Sequence, residues 1–321
     1  MPLRLLTFML AGGVLLAACA SAADVGDAGG APTAEPPADP PPWPWELEAA
    51  GQDVIDDRPV LVTYCPLCNS GLAFAHPGRR GAVVRHLRAA VEVQPGHVRP
   101  GHPQPWSQFT GEAIVGDRLG DVLDRLPLQI VAWEQFVAGW PDGQVLSRDT
   151  GHNRDYGRNP YVGYDASERP FLFDGDTGGP LPQMERVVAT GGDEDPVAYP
   201  LTVLTDERVV HDEVAGEPVV VWWTPGTASA LDRASIDAGA DVGATGVFRR
   251  TVDGLRLTFA ANGDSRLTDA ETDSTWTVLG VAVDGPLAGT PLERIPHDDT
   301  FWFAQFAFRP ETRVLDAPAV R

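Results

Sequence analysis

The feature that most constrains this chain is that it repeats itself. The run VLVTYCPLCNSGL at 60–72 has a second version, VVVWWTPGTASAL, at 219–231, which is 159 residues later. Pro66 matches Pro225, Ser70 matches Ser229 and Leu72 matches Leu231. Further on, WSQFTGEAIVG at 106–116 answers WTVLGVAVDG at 276–285. AWEQFVAGWPDGQVL at 132–146 answers FWFAQFAFRPETRVL at 301–315, now 169 apart, with Trp133 on Trp302 and Pro141 on Pro310. Three matched blocks in one order point to a duplicated unit. Whatever the chain folds into must be something that can be built twice.

Each unit opens on a β-branched run that reads as a buried strand ending in a Pro-containing turn. In the second unit DGLRLTFAANG gives a turn signal, then Leu255, Leu257 and Phe259 alternating on one face. STWTVLGVAV reads as another strand. The Trp- and Phe-rich segments 132–140 and 301–308 suit short amphipathic helices packed on a sheet. With 34 Gly and 30 Pro, elements are expected to be short and loops many. The expected fold is mainly β, with α+β as the alternative: two pseudo-equivalent lobes from an internal duplication, short helices packed on sheets. Lobe one spans 45–150, a bridging segment 151–195 and lobe two 196–315, with a tail at 316–321.

The N-terminus carries Arg4, then an apolar run from Leu5 to Ala18 that ends in LAAC at Cys19. The run is short for a membrane span and reads as a signal peptide over 1–19. LAAC resembles a bacterial lipoprotein box, which makes Cys19 the expected lipid-attachment residue. Residues 20–44 are small, acidic and Pro-rich, a composition suited to a disordered tether. The expected location is therefore the cell envelope, extracytoplasmic, touching the membrane only through the N-terminal lipid. A net charge of −21 repels nucleic acid and anionic headgroups, so no nucleic-acid partner is expected. An unknown small ligand or protein partner stays open.

One segment does not fit the repeat. Residues 76–105 hold four of the seven His and five Arg against one acid, and show no period-2 pattern. All 24 basic residues of the chain are Arg and none is Lys, which suits a GC-rich gene. Back-translating HLRAAVEVQPGHVRPGHPQ with GC-rich codons and shifting one base permits TSGRLWKSNLVMYDRATRS. That string has the outline of the second unit at the same place. We read 76–105 as out of frame between two compensating shifts, and expect disorder there. A His-rich metal site is the competing reading.

VTYCPLCNSGLAF, WSQFTGEAIVG, RDYGRNPYVGYD, GTASALD, DVGATGVF and FWFAQFAFRP together resemble the bacterial domain of unknown function 3179 family. The resemblance covers about 53–315, interrupted at 76–105. The family usually has a block such as AYPLTVL before its first strand; here WPWELEAAG stands in that place. The resemblance implies a fold neighbourhood and no particular activity.

Cys65 and Cys68 form a Cys-Pro-Leu-Cys turn and align with Thr224 and Thr227. The second unit thus builds the turn without sulfur. Three readings stay open: an inert pair or local disulfide, a thiol–disulfide redox site, or a metal clip. No second CxxC is present, and outside 76–105 only His152, His211 and His297 remain, so no metal ligand set is assigned. Metal is the one cofactor left open, and none is predicted. Between the lobes, SRDTGHNRDYGRNPYVGYD gathers His152, Arg154, Asp155, Tyr156, Arg158, Tyr161 and Asp165. Rings among paired charges can grip a polar ligand, or can order a long crossover. Tyr64, Asn69, Ser70 and Ser229, at or beside the repeated turn, join this candidate set. Ser70 and Ser229 are expected to cap backbone groups. G-x-S-x-G is absent and His152 has no nucleophile motif beside it. The lead reading is a non-catalytic ligand-binding or interaction module using the cleft between lobes. The alternative is a thiol-redox or metal-handling protein using the Cys pair.

Overall fold

The computed structural model describes residues 52–55, 58–75, 82–85, 104–114, 119–145, 147–148, 156, 158–171, 173, 175, 178–263 and 265–315. The signal peptide, Cys19, the tether and the tail lie outside the described residues. Among the described residues strands dominate and the helices are short.

Two three-stranded antiparallel meanders are built around the repeated run. In the first, β1 (Gln52–Ile55), β2 (Arg58–Cys65) and β3 (Ser70–Ala75) lie in the order β1-β2-β3. The turn between β2 and β3 is the Cys-Pro-Leu-Cys turn itself. Residues of β2 are buried on both faces, which explains its unbroken apolar run. Most of 76–105 lies outside the described residues. Where it is described, β4 (Ala82–Arg85) pairs in parallel with β5 (Gln104–Ser107), a pairing that the lack of period-2 alternation did not announce. β6 (Arg125–Leu126) then adds to β3, and α1 (Trp133–Gly139) follows.

β7 (Arg186–Thr190) falls inside the segment read as a bridge, and β8 (Val197–Pro200) and α2 (Leu201–Glu207) lead into the second meander. There β9 (Val209–Val214), β10 (Glu217–Thr224) and β11 (Ala244–Arg249) repeat the same order, with the apolar run again central. Leu61 sits opposite Phe74 in the first, and Val220 opposite Phe248 in the second. The connection after the run differs: residues 66–69 in the first, 225–243 in the second.

The second unit continues through the hairpin β12 (Thr251–Val252) and β13 (Leu255–Arg256), then a sheet of β14 (Phe259–Asn262), β15 (Arg266–Asp269), β16 (Thr275–Trp276) and β17 (Ala282–Asp284). Leu257 and Phe259 are buried, but Leu255 is exposed. The strand breaks between β13 and β14, and the alternation expected across 255–259 restarts there. The single strand expected over STWTVLGVAV is a tight hairpin instead, β16 turning into β17 at Gly280. Gly280 has φ +74° and Gly111, in the matched Trp block, has φ +73°. A Cβ on Gly280 would lie 2.2 Å from the Phe248 ring, and one on Gly111 2.7 Å from the Phe74 ring. Each position needs glycine for the same two reasons, a left-handed backbone and a ring packed against it.

The last sheet joins β18 (His297–Phe301), β7, β8 and β19 (Arg313–Val314), in that order, with α3 (Trp302–Phe308) between β18 and β19. The C-terminal ends of the two units are exchanged. Val131 and Phe136 pack into the core of the second unit with Val220, Trp222, Phe248 and Trp276. Phe301, Phe303 and Ala304 pack against Cys65, Cys68 and Phe109 of the first. Each helix thus serves the other unit's core.

Candidate functional site

The repeated turns are where the exchanged segments are gripped. In the first, Asn69 takes φ +56°, a left-handed position that Asn tolerates. Its amide donates to the Asp299 carbonyl at 2.9 Å and its Oδ1 accepts from the Tyr64 hydroxyl at 3.1 Å. The Cys68 carbonyl accepts from Phe301 N at 2.9 Å and from Thr300 Oγ1 at 2.8 Å. In the second, Thr227 Oγ1 donates to Gln135 Oε1 at 2.8 Å and accepts from Ala132 N at 3.1 Å. Gln135 Nε2 reaches the Pro225 carbonyl at 3.2 Å. Gly226 N and Thr227 N both donate to the Asp241 carboxylate.

Between these two turns lies a cleft of about 1250 Å³. Tyr64 and Asn69 line it from the first meander; Thr227, Ser229 and Thr245 line it from the second. Trp133 and Glu134 of α1, with Arg158, Arg186 and Asp299, complete the walls used below. Ser229 donates to Asp165 and accepts from Arg186 Nη2 at 3.0 Å and from Leu231 N at 3.1 Å. Arg186 also pairs with Asp165 at 2.5 Å and lies over the Phe301 ring. The wall at this point is a closed Ser–Asp–Arg network, in which the carboxylate that accepts from the hydroxyl is also paired with Arg186.

Of the sequence candidates, Tyr64, Asn69, Tyr156, Arg158 and Ser229 line the cleft, and Asp165 stands behind Ser229. Tyr161 packs instead beside the cluster around Cys65 and Cys68. His152, Arg154 and Asp155 lie outside the described residues. Ser229 caps Leu231 N as expected, whereas Ser70 turns to the Asp298 carboxylate at 2.7 Å. β18 brings that acid over the first turn.

Cys65 and Cys68 are buried away from the cleft, with their sulfurs 3.1 Å apart. The hydrogen bond shared with Cys65, then burial, push the Cys68 thiol up. A reactive thiol needs exposure and a lowered pKa, so this environment favours an inert pair. Among the described residues no group of three or more His, Cys, Asp or Glu is placed to hold a metal.

A second polar centre escaped the sequence reading. Arg125 and Arg294 stand at the same 169 spacing, each two residues before a proline. Arg294 Nη1 donates to Gln129 Oε1 at 2.7 Å and Nη2 to the Leu279 carbonyl at 2.5 Å. Burial lowers the Arg294 pKa to about 9. Arg125 Nη2 donates to the His297 carbonyl at 3.0 Å and faces Asp298. Asp298 is the counterpart of Gln129, and burial pushes its carboxyl up to about 7 against the pull of Arg125 and Ser70. Burial lowers the His297 pKa. Among the described residues Asp298 Oδ1 and His297 Nε2 have no hydrogen-bond partner. The matched Arg-x-Pro triplets were the available signal.

Fold and site together define a mainly β protein of two like meanders with exchanged C-terminal segments and a cleft between their turns. The chain belongs to the family described as protein of unknown function (DUF3179), which matches residues 101–312. No curated protein and no solved structure matches it.

Proposed function

We propose that this protein is a non-catalytic binding module that holds its ligand in the cleft between the two repeated turns. The observation that carries the reading is the composition of the walls. Both meanders and α1 contribute, so a ligand there touches both units at once. A site built across the junction of two units is a common place for recognition. Arg148, Arg158 and Arg186 face Glu134, Asp237 and Asp299, so the lining is balanced in charge. With Tyr64, Trp133 and Tyr156 beside them, the walls suit a ligand carrying both polar groups and apolar surface. The lipoprotein-type N-terminus supports an extracytoplasmic setting, with the chain held to the membrane through Cys19. The two units are read as descendants of one duplicated module, supported by the shared strand order and the paired glycines.

A thermal-shift screen of the intact chain against amphiphilic and polar ligands tests the reading. A hit should raise Tm, and Arg158→Ala or Thr245→Val should weaken it at least tenfold. Hits whose affinity ignores every cleft substitution would sink the proposal. The thiol-redox alternative has its own measurement. Rapid alkylation of Cys65 or Cys68 in the folded protein at pH 7 would revive it.

A further inference from the structure

The two repeated turns use the same two positions in different ways. In the second, Thr227 Oγ1 turns to the exchanged segment, to Gln135 and Ala132. Thr224 Oγ1 is buried with no hydrogen-bond partner among the described residues. In the first, the side chains at these positions turn toward each other. Cys65 Sγ and Cys68 Sγ stand 3.1 Å apart, and the exchanged segment is received by the Cys68 main-chain carbonyl instead.

The turn that brings the sulfurs together is local. β2 and β3 pair from Val60 with Ala75 up to Cys65 with Ser70. Asn69 N closes the turn on the Pro66 carbonyl at 3.3 Å, with the proline fixing its own φ and Asn69 at φ +56°. So short a loop costs little chain entropy to close. The two sulfurs therefore meet as soon as the hairpin forms. A covalent S–S bond is about 2.05 Å long, so about 1 Å of approach separates the pair from bonding.

What buries the pair comes later in the chain. Phe109, Tyr164, Leu231, Phe301, Phe303 and Ala304 pack around the sulfurs, and all of them follow Cys68 by more than forty residues. The Tyr164 hydroxyl donates to the Leu67 carbonyl at 2.9 Å, and Phe301 N to the Cys68 carbonyl at 2.9 Å, so the late segments close directly over the turn. In the closed protein the hydrogen bond shared with Cys65, then burial, hold the Cys68 thiol away from its thiolate form. Before closure the burial is absent, and an open hairpin carries two adjacent thiols of ordinary reactivity.

We infer that Cys65 and Cys68 form a disulfide, made while the first hairpin is still open and sealed when the exchanged segment closes over it. The co-reactant is a disulfide donor, which an oxidising compartment supplies. One cysteine thiolate attacks the donor's S–S bond, forming a mixed disulfide and releasing the donor's first thiolate. The second cysteine thiolate attacks the cysteine sulfur of that mixed disulfide and releases the donor's other thiolate. The pair loses two electrons and two protons, and the donor becomes two thiols. The ring closed is short, so the bond adds little to stability; its role is to fix the turn that the exchanged segment grips. The inference goes beyond the cleft reading, because neither cysteine lines the cleft.

The test uses the intact chain, unfolded and reduced in urea, then refolded by dilution into a mixture of oxidised and reduced glutathione. Samples are acid-quenched, unfolded, treated with N-ethylmaleimide, digested and weighed. The peptide spanning 65–68 is expected unalkylated and two hydrogens lighter than the dithiol. Once circular dichroism shows the chain folded, dithiothreitol should reduce this bond at least tenfold more slowly than in urea. A chain refolded under reductant and then given oxidised glutathione should form the bond at least tenfold more slowly than one refolding in its presence. Two results overturn the inference. One is a peptide that carries alkyl groups or glutathione on both cysteines after refolding with oxidised glutathione, which shows that the pair does not bond. The other is a bond made and reduced as fast in the folded chain as in the unfolded one, which shows an unsealed pair and returns the thiol-redox reading. Neither result touches ligand binding in the cleft.

Discussion

The two arginines that precede the exchanged segments make an instructive pair. Arg294 meets a neutral amide, and every polar atom of Gln129 is used: Nε2 donates to the Thr245 and Val278 carbonyls and Oε1 accepts from the arginine. Arg125 meets a carboxyl, and there Asp298 Oδ1 is left unpartnered among the described residues. The same backbone scaffold thus carries one settled polar contact and one unsettled acid. A neutral group that completes its hydrogen bonds tolerates burial, whereas a carboxyl that does not is driven toward its protonated form.

The comparison can be pressed hardest at the glycines that both units need. Gly280→Ala places a methyl group against the Phe248 ring at a left-handed backbone position, and should cost about 3–5 kcal/mol by urea denaturation. Gly111→Ala, with more room at Phe74, should cost less; an equal or reversed order would break the correspondence of the two turns.

Asp298 comes next. Its folded pKa, about 7, lies above an unfolded value of ~3.9, so the folded state holds the proton more tightly. The stability this gives is fully present below about pH 4 and is lost as pH rises through 7, a loss on the order of 4 kcal/mol. Asp298→Asn should flatten that limb in denaturation curves measured between pH 4 and 8. His297 acts in the opposite sense. Its lowered pKa keeps it neutral in the fold, so stability falls as pH drops below the unfolded value of ~6.5. A variant whose pH profile matches the wild type would show that Asp298 is ionised and well paired.

Arg294→Met should cost about 1–3 kcal/mol, because Gln129 Oε1 and the Leu279 carbonyl lose their buried donor. Arg125→Met should instead be read in the titration of Asp298, which rises further above about 7 once the cation is gone.

The smallest effect belongs to the sulfurs. Cys65→Thr with Cys68→Thr copies the second turn into the first and should change stability by less than about 1.5 kcal/mol, since size is nearly kept and the second turn works with those residues. Cleft binding should not move, because neither cysteine lines it. A drop of several kcal/mol would show that the thiol pair has no hydroxyl equivalent.

Much of this architecture was legible, for reasons that can be named. A β-branched run buried on both faces announces a central strand, as β2 and β10 are. Trp222 and Trp223, adjacent on β10, point apart: Trp222 is buried in the core, while Trp223 sends its indole N–H to the Val242 carbonyl at 2.8 Å under the Arg208 guanidinium. The amphipathic spacing of 133–139 and 302–308 gave helices but not partners, because periodicity fixes a face and says nothing of which core it meets. That is why the exchange of segments was missed. Asp298 looked like one acid among 45 Asp and Glu, and only its position over the first turn makes it unusual. Tyr161 was grouped with the cleft because it neighbours Arg158 in sequence, but its ring packs beside the cluster around Cys65 and Cys68.

The exchange of C-terminal segments also bears on how the molecule is made. Synthesis proceeds from the N-terminus, and the first meander emerges long before the residues that close over its Cys-Pro-Leu-Cys turn. Phe301, Phe303 and Ala304 leave the ribosome last of the buried groups around that turn, more than two hundred residues after Cys68. The early half must therefore wait, with its apolar surface open, until almost the entire polypeptide has appeared, and its final closure is an event that only a nearly finished chain can perform.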